Sequence, residues 1–220
     1  MIDVMASRPD GELAGVVRAH ERAAAVVAGL DQAAARGPSL LPGWSVGHVV
    51  THIARNADGL RNIVEGAAAG EVWPMYPGGM DQRTADIEAG AARPPAALAA
   101  DVLAAGAALE AAWAGLGDDV WATGRGTGPA GERPVRDLPF VRWREVEIHL
   151  VDLGLPAYGV DDWDAGYVVL ELARQEAGYR ARHGVAELPA GARALAPARR
   201  VAWLVGRLAV PGLGDAGPWS

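Results

Sequence analysis

The chain has 220 residues, half of them apolar, a formal charge of −7 and no cysteine. That length buries the core of one domain, or of one domain with a small appendage. Disulfides, thiolate metal sites and cysteine nucleophiles are excluded outright, and a diffuse acidic balance without a Lys/Arg stripe argues against a nucleic-acid partner.

Much of the apolar content is alanine, and Phe140 is the single phenylalanine. Alanine is the best helix former, so the composition favours a mainly α fold. The opening MIDVMASRPDGEL has no basic start followed by a long apolar stretch, which speaks against a signal peptide. The alanine-rich run from Ala96 to Leu116 is crossed by Asp101 and Glu110, which speaks against a membrane span. A cytoplasmic protein with no membrane partner is the expectation.

In chain order, Leu13, Val16, Val17, Ala24, Val27 and Leu30 form one apolar stripe of a first helix from Glu12 to Leu30. Leu41-Pro42-Gly43-Trp44-Ser45 reads as a turn, with Ser45 as N-cap of a second helix running to about Ala69. Pro74, Pro77, Gly78 and Gly79 mark a connection, and a short helix over Gln82 to Ala91 is stopped by Pro94 and Pro95. Leu98, Val102, Ala105, Leu109, Trp113 and Leu116 are spaced by three and four along a third long helix. Between Gly117 and Arg136 the pattern breaks, and Val120-Trp121-Ala122-Thr123 reads as one arm of a short hairpin. A fourth long helix ends at Gly154, with Pro156 as a stop signal. Two further helices, near Asp162–His183 and Pro197–Leu208, complete a mainly α chain: a four-helix bundle with a small C-terminal part.

The fourth helix carries the chemistry. Arg142, Glu145, His149 and Asp152 follow one another at spacings of three and four and share one face. Such a stripe is either a solvated face laced with ion pairs or one wall of a metal site. His52 lies in the second helix, so two imidazoles and one carboxylate are available for zinc or another divalent transition metal inside a bundle. His48, four residues before His52, reads as a spare ligand, a cap or a supporting residue. His20 reads as a hydrogen-bonded core histidine and His183 as structural or surface. No P-loop and no Gly-x-Ser-x-Gly elbow occurs.

Three stretches carry a family resemblance: LPGWSVGHVVTHIARNADGL at 41–60, Asp86-Ile87-Glu88 with Arg93, and RWREVEIHLVDLG at 142–154. A tryptophan-leucine pair followed by Gly206-Arg207 is a weaker fourth. On these residues the chain resembles the mycothiol-dependent maleylpyruvate isomerase family of the DinB-like metalloprotein group, over nearly its whole length. The resemblance implies a DinB-like four-helix metal-binding bundle at 1–155 and a small C-terminal helical or α/β subdomain at 156–220 packed on it. It implies zinc held by His52, Glu145 and His149, with mycothiol as cosubstrate. The implied reaction turns maleylpyruvate into fumarylpyruvate in gentisate breakdown by reversible thiolate addition. Because the chain has no cysteine, the thiol has to be brought in. Arg207 is the implied catalytic charge for the enolate, with Arg83 and Arg142 as clamps for substrate or thiol carboxylates. A zinc-dependent mycothiol S-transferase and a non-catalytic DinB-like metal-binding protein are the alternatives. The partners are a small-molecule substrate and a low-molecular-weight thiol, and the apolar helix faces leave a homodimer open.

Overall fold

The computed structural model describes residues 8–217. Internal contacts divide the chain into two compact units, Met1–Gly154 and Leu155–Ser220. The first is built from α1 (Asp10–Ala28), α2 (Gln32–Arg36), α3 (Val46–Ala68), α4 (Gly79–Ala91), α5 (Pro95–Ala114), α6 (Asp118–Thr123), β1 (Arg125–Gly128), β2 (Gly131–Pro134) and α7 (Leu138–Asp152). The second contains α8 (Ala165–His183), α9 (Ala190–Arg193) and α10 (Pro197–Leu204).

Four long helices form the frame. α1 packs on α5 and α7, and α3 packs on the same two, so the four close into a bundle. α3 brings a long apolar face to it: Val49, Val50, Ile53, Ala54, Ala57, Leu60 and Ile63 are all in the core. Its start is set by a capping box, in which Ser45 accepts from the His48 amide and the His48 ring accepts from the Ser45 amide. The expected N-cap is therefore real, and His48 is accounted for by the cap together with a 3.2 Å contact to Glu88. α5 is long and apolar enough to cross a membrane by composition. Its Leu98, Leu109 and Trp113 are buried within the unit, and its Asp101 pairs with Arg55 and Arg93.

Two local expectations need correction. Val17, placed on the buried stripe of the first helix, is 41% exposed, while Val16, Ala19, Ala23 and Val27 form the actual core line. Residues 120–123 are helical, not strand. Asp118 and Asp119 in the first turn of α6 favour its positive N-terminal end, and Trp121 is buried from a helix. The hairpin lies just beyond, with Thr127 opposite Glu132 and Gly131 at φ +101° in the turn. On its other edge Thr127 exchanges hydrogen bonds with Trp73 and Met75 of the 70–77 connection. That connection is held against α3 by Asn62, which donates to the Pro74 carbonyl at 2.7 Å.

α7 starts with Pro139 in its first turn and stops where Gly154 takes the left-handed conformation. Its Glu147 is fully buried, accepting from Trp143 Nε1 at 3.0 Å and pairing with Arg22 of α1. The second unit is helical. Asp164 caps α8, Gly184 ends it in the left-handed conformation, and Leu188, Ala192, Trp203, Leu204 and Ala216 make a small core. No strand occurs among its described residues, which decides between the two forms expected for the C-terminal part.

Candidate metal centre and the groove beside it

The stripe on α7 is not a solvated face. Arg142 and Asp152 are buried almost completely, and His149 nearly so. α3 packs on α7 and brings His52 to it across the bundle. His52 Nε2 lies 3.0 Å from His149 Nε2, and each of these nitrogens lies 3.4 Å from Glu145 Oε2. Two imidazole nitrogens and a carboxylate oxygen this close share either protons or a cation. Atoms bound tetrahedrally to one ion at about 2.1 Å stand about 3.4 Å apart, so the spacing fits a divalent metal. Among the described residues this is the one cluster of its kind.

The surroundings tune the three groups differently. Burial depresses His52 to about 4, outweighing the help of Glu145. Burial also works against protonation of His149, but the hydrogen bonds it donates to Asp152 and Glu145, and their charges, raise it to about 9. Glu145 is opposed by its own burial too, yet contacts with both histidines hold it well below the carboxylate range. Asp152 Oδ2 sits 2.9 Å from His149 Nδ1. A carboxylate behind the far ring nitrogen is the usual support of a metal-binding histidine, fixing its tautomer and orientation.

The three expected arginines fall in three different settings. Arg83 of α4 reaches the cluster, with Nη2 2.9 Å from His52 Nδ1 and its guanidinium over the Tyr76 ring at 5.7 Å. Arg142 lies beneath it, fully buried, with Nε donating to His20 Nε2 and Nη1 to the Ile53 carbonyl and Asn56. Desolvation pulls Arg142 down to about 10, with the Glu145 carboxylate the leading opposing charge. His20 is thereby the hydrogen-bonded core histidine the sequence suggests, with Glu110 on its other nitrogen at 2.6 Å. Arg207 belongs to the second unit. It follows Gly206 at φ +71°, and its Nη1 donates to the Val205 carbonyl.

Beyond Arg83 a groove of about 330 Å³ runs along α3. Arg55, Asp58, Arg61 and Glu65 line it from α3, and Tyr76 faces them from the connection. None of these was singled out from the sequence. The signal was present, because positions 55, 58, 62 and 65 repeat polar residues at three and four along a helix that is otherwise apolar.

The family model for the mycothiol maleylpyruvate isomerase N-terminal domain matches residues 16–154, which includes all three clustered ligands. The chain belongs to this family. In the maleylpyruvate isomerase family the bundle described above is thus the matched domain, and the second unit lies outside the match. Among solved structures, the chain is similar to a mycothiol-dependent maleylpyruvate isomerase, with TM-score 0.83 and 24% identity over 96% of this chain and 97% of that one. An H52A mutant of a mycothiol-dependent maleylpyruvate isomerase gives TM-score 0.82 and 23% identity with the same coverage. At this identity the likeness establishes a shared mainly α fold. Among curated proteins none matches significantly.

Proposed function

We propose that this protein is a zinc- and mycothiol-dependent isomerase that converts maleylpyruvate to fumarylpyruvate. The observation that carries the reading is the convergence of His52, Glu145 and His149, backed by Asp152, within the domain the family model matches. His52 and His149 would hold the ion through Nε2 and Glu145 through a carboxylate oxygen. The bound ion supplies a Lewis acid that keeps a thiol sulfur deprotonated at neutral pH. Asp152 holds the proton of His149 on Nδ1, so that Nε2 offers its lone pair.

The chain has no thiol of its own, so the nucleophile arrives with the cosubstrate. Its thiolate adds to one carbon of the conjugated cis double bond, forming a C–S bond and moving an electron pair to the carbonyl oxygen as an enolate. The former double bond is now single and rotates. Collapse of the enolate expels the thiolate and restores the double bond in trans. A cation beside the enolate oxygen lowers this barrier, and the family-like Gly206-Arg207 motif supports Arg207 for that role. Arg83, at the edge of the cluster, suits a carboxylate clamp. Arg142, with Nε and Nη1 already engaged, serves instead as a fixed positive charge behind Glu145.

The test is turnover of maleylpyruvate by protein of measured metal content, with and without mycothiol. Turnover that needs both supports the reading. Equal rates in the metal-stripped protein or without thiol would refute it, and product carrying the thiol permanently would make the protein a transferase.

A further inference from the structure

The groove on α3 has a chemistry of its own. Its charged wall is evenly split: Arg55, Arg61 and Arg83 against Asp58, Glu65 and Asp86. A dianionic substrate lying there would meet as many carboxylates as guanidinium groups and gain no net attraction. A neutral ligand rich in hydroxyls fits far better, because each hydroxyl both donates and accepts and finds partners of either kind along the wall.

Hydrogen-bonding capacity is left over on this wall. Arg55 Nε and Arg61 Nε are screened from solvent and have no hydrogen-bond partner. Arg61 Nε stands 3.6 Å from Glu65 Oε1, an ion pair too long to be a hydrogen bond. Met75 and Tyr76 add apolar surface on which the C–H face of a ring can lie. The groove is also continuous with the candidate metal centre through one residue, since Arg83 lines it and touches His52. Its volume of about 330 Å³ is at the lower end of the range for small-molecule sites, roughly 300–1,000 Å³.

We infer that this groove receives the uncharged, polyhydroxylated tail of the thiol cosubstrate while its sulfur goes to the His52–Glu145–His149 cluster. The inference rests on the thiol-dependent reading above and adds the part of the protein that recognises the thiol. Mycothiol has this chemistry, being an acetylated cysteine carried on a glucosamine–inositol pair. The electrophile then does not compete for the α3 wall.

Calorimetric titration of the zinc-loaded protein tests this with three probes: mycothiol, N-acetylcysteine, which lacks the tail, and maleate as a diacid. The double variant Arg61→Ala/Glu65→Gln leaves net charge unchanged and alters two partly exposed positions, so zinc content and melting temperature should stay as in the parent. Mycothiol is expected to bind the parent at least tenfold more tightly than N-acetylcysteine. The double variant should lose about tenfold for mycothiol, the size of one or two hydrogen bonds, and nothing for N-acetylcysteine. Equal affinity of the two thiols for the parent, or unchanged mycothiol binding by the variant, overturns the assignment while leaving thiol dependence standing. A variant that loses maleate but keeps mycothiol gives the groove to the electrophile instead. Absence of binding by either thiol overturns the thiol-dependent reading itself, and the groove assignment with it.

Discussion

Asp152→Asn keeps the shape of the residue behind His149 and removes its charge. In the parent, Asp152 and Glu145 together overcome burial and hold His149 at about 9. Between pH 7 and 9 an incoming ion therefore displaces a proton from this ring, and affinity should climb by up to about tenfold per pH unit. Loss of the Asp152 charge acts in two directions. It weakens the ligand, which by comparison with other supporting carboxylates costs about 10- to 100-fold in affinity, or about 1.4–2.8 kcal/mol. It also lowers the pKa of His149, so fewer protons compete near neutrality. The two effects partly cancel at pH 7 and not at pH 9, so the variant's deficit should be largest at pH 9 and shrink towards pH 7. Zinc titration against a chromophoric chelator at both pH values reads this directly, with helicity by circular dichroism as the control for folding. A deficit independent of pH, or no deficit, would show that the 2.9 Å contact between Asp152 and His149 does not govern the site.

Three further outcomes follow from the same geometry. Arg83→Met should tighten zinc binding several-fold in the chelator assay, because an ion on His52 Nε2 moves the ring proton to Nδ1, which then cannot accept from a guanidinium; unchanged affinity would argue that Arg83 and the ion are compatible. In chelator-treated protein, raised His149 contributes stability that is complete below about pH 6.5 and lost as pH rises through about 9. Depressed His52 contributes stability present above about pH 6.5 and lost as pH falls towards about 4, so melting temperature should peak near pH 6.5, whereas a steady rise with pH would contradict the His149 shift and a steady fall the His52 shift. Glu147→Ala removes the buried carboxylate that accepts from Trp143 Nε1 and pairs with Arg22, and should cost about 3 kcal/mol in urea unfolding, and a loss under about 1 kcal/mol would mean that the pair is already hydrated.

The bundle was legible in the sequence because each long helix carries one apolar stripe with an identifiable end: Ser45 before α3, Pro95 at the start of α5, Gly154 after α7. The metal cluster was half legible. Glu145 and His149 stand one turn apart on any helix, but no local rule brings His52 to them; that takes the packing of α3 on α7. Residues 120–123 misled because Val-Trp-Ala-Thr has strand propensity, while the acidic start and the burial of Trp121 from a helix decided otherwise. The setting of Arg142 was not legible, because its partners His20, Asn56 and the Ile53 carbonyl come from two other helices. The groove escaped notice because its far wall, Met75 and Tyr76, lies in a connection whose path is set by Asn62 and by the edge of β1.

One helix carries both His52 and the wall from Arg55 to Glu65. From His52 to Glu65 an α-helix rises about 20 Å at about 1.5 Å per residue, so α3 acts as a rigid ruler between the metal end and the far end of the groove. A flexible loop could change that distance one residue at a time. A helix cannot, because each inserted residue turns everything beyond it by about 100°. Only near-whole turns would preserve the alignment, so relatives selecting ligands of another length are expected to differ in steps of three or four residues in this helix, or to alter the side chains and keep the ruler.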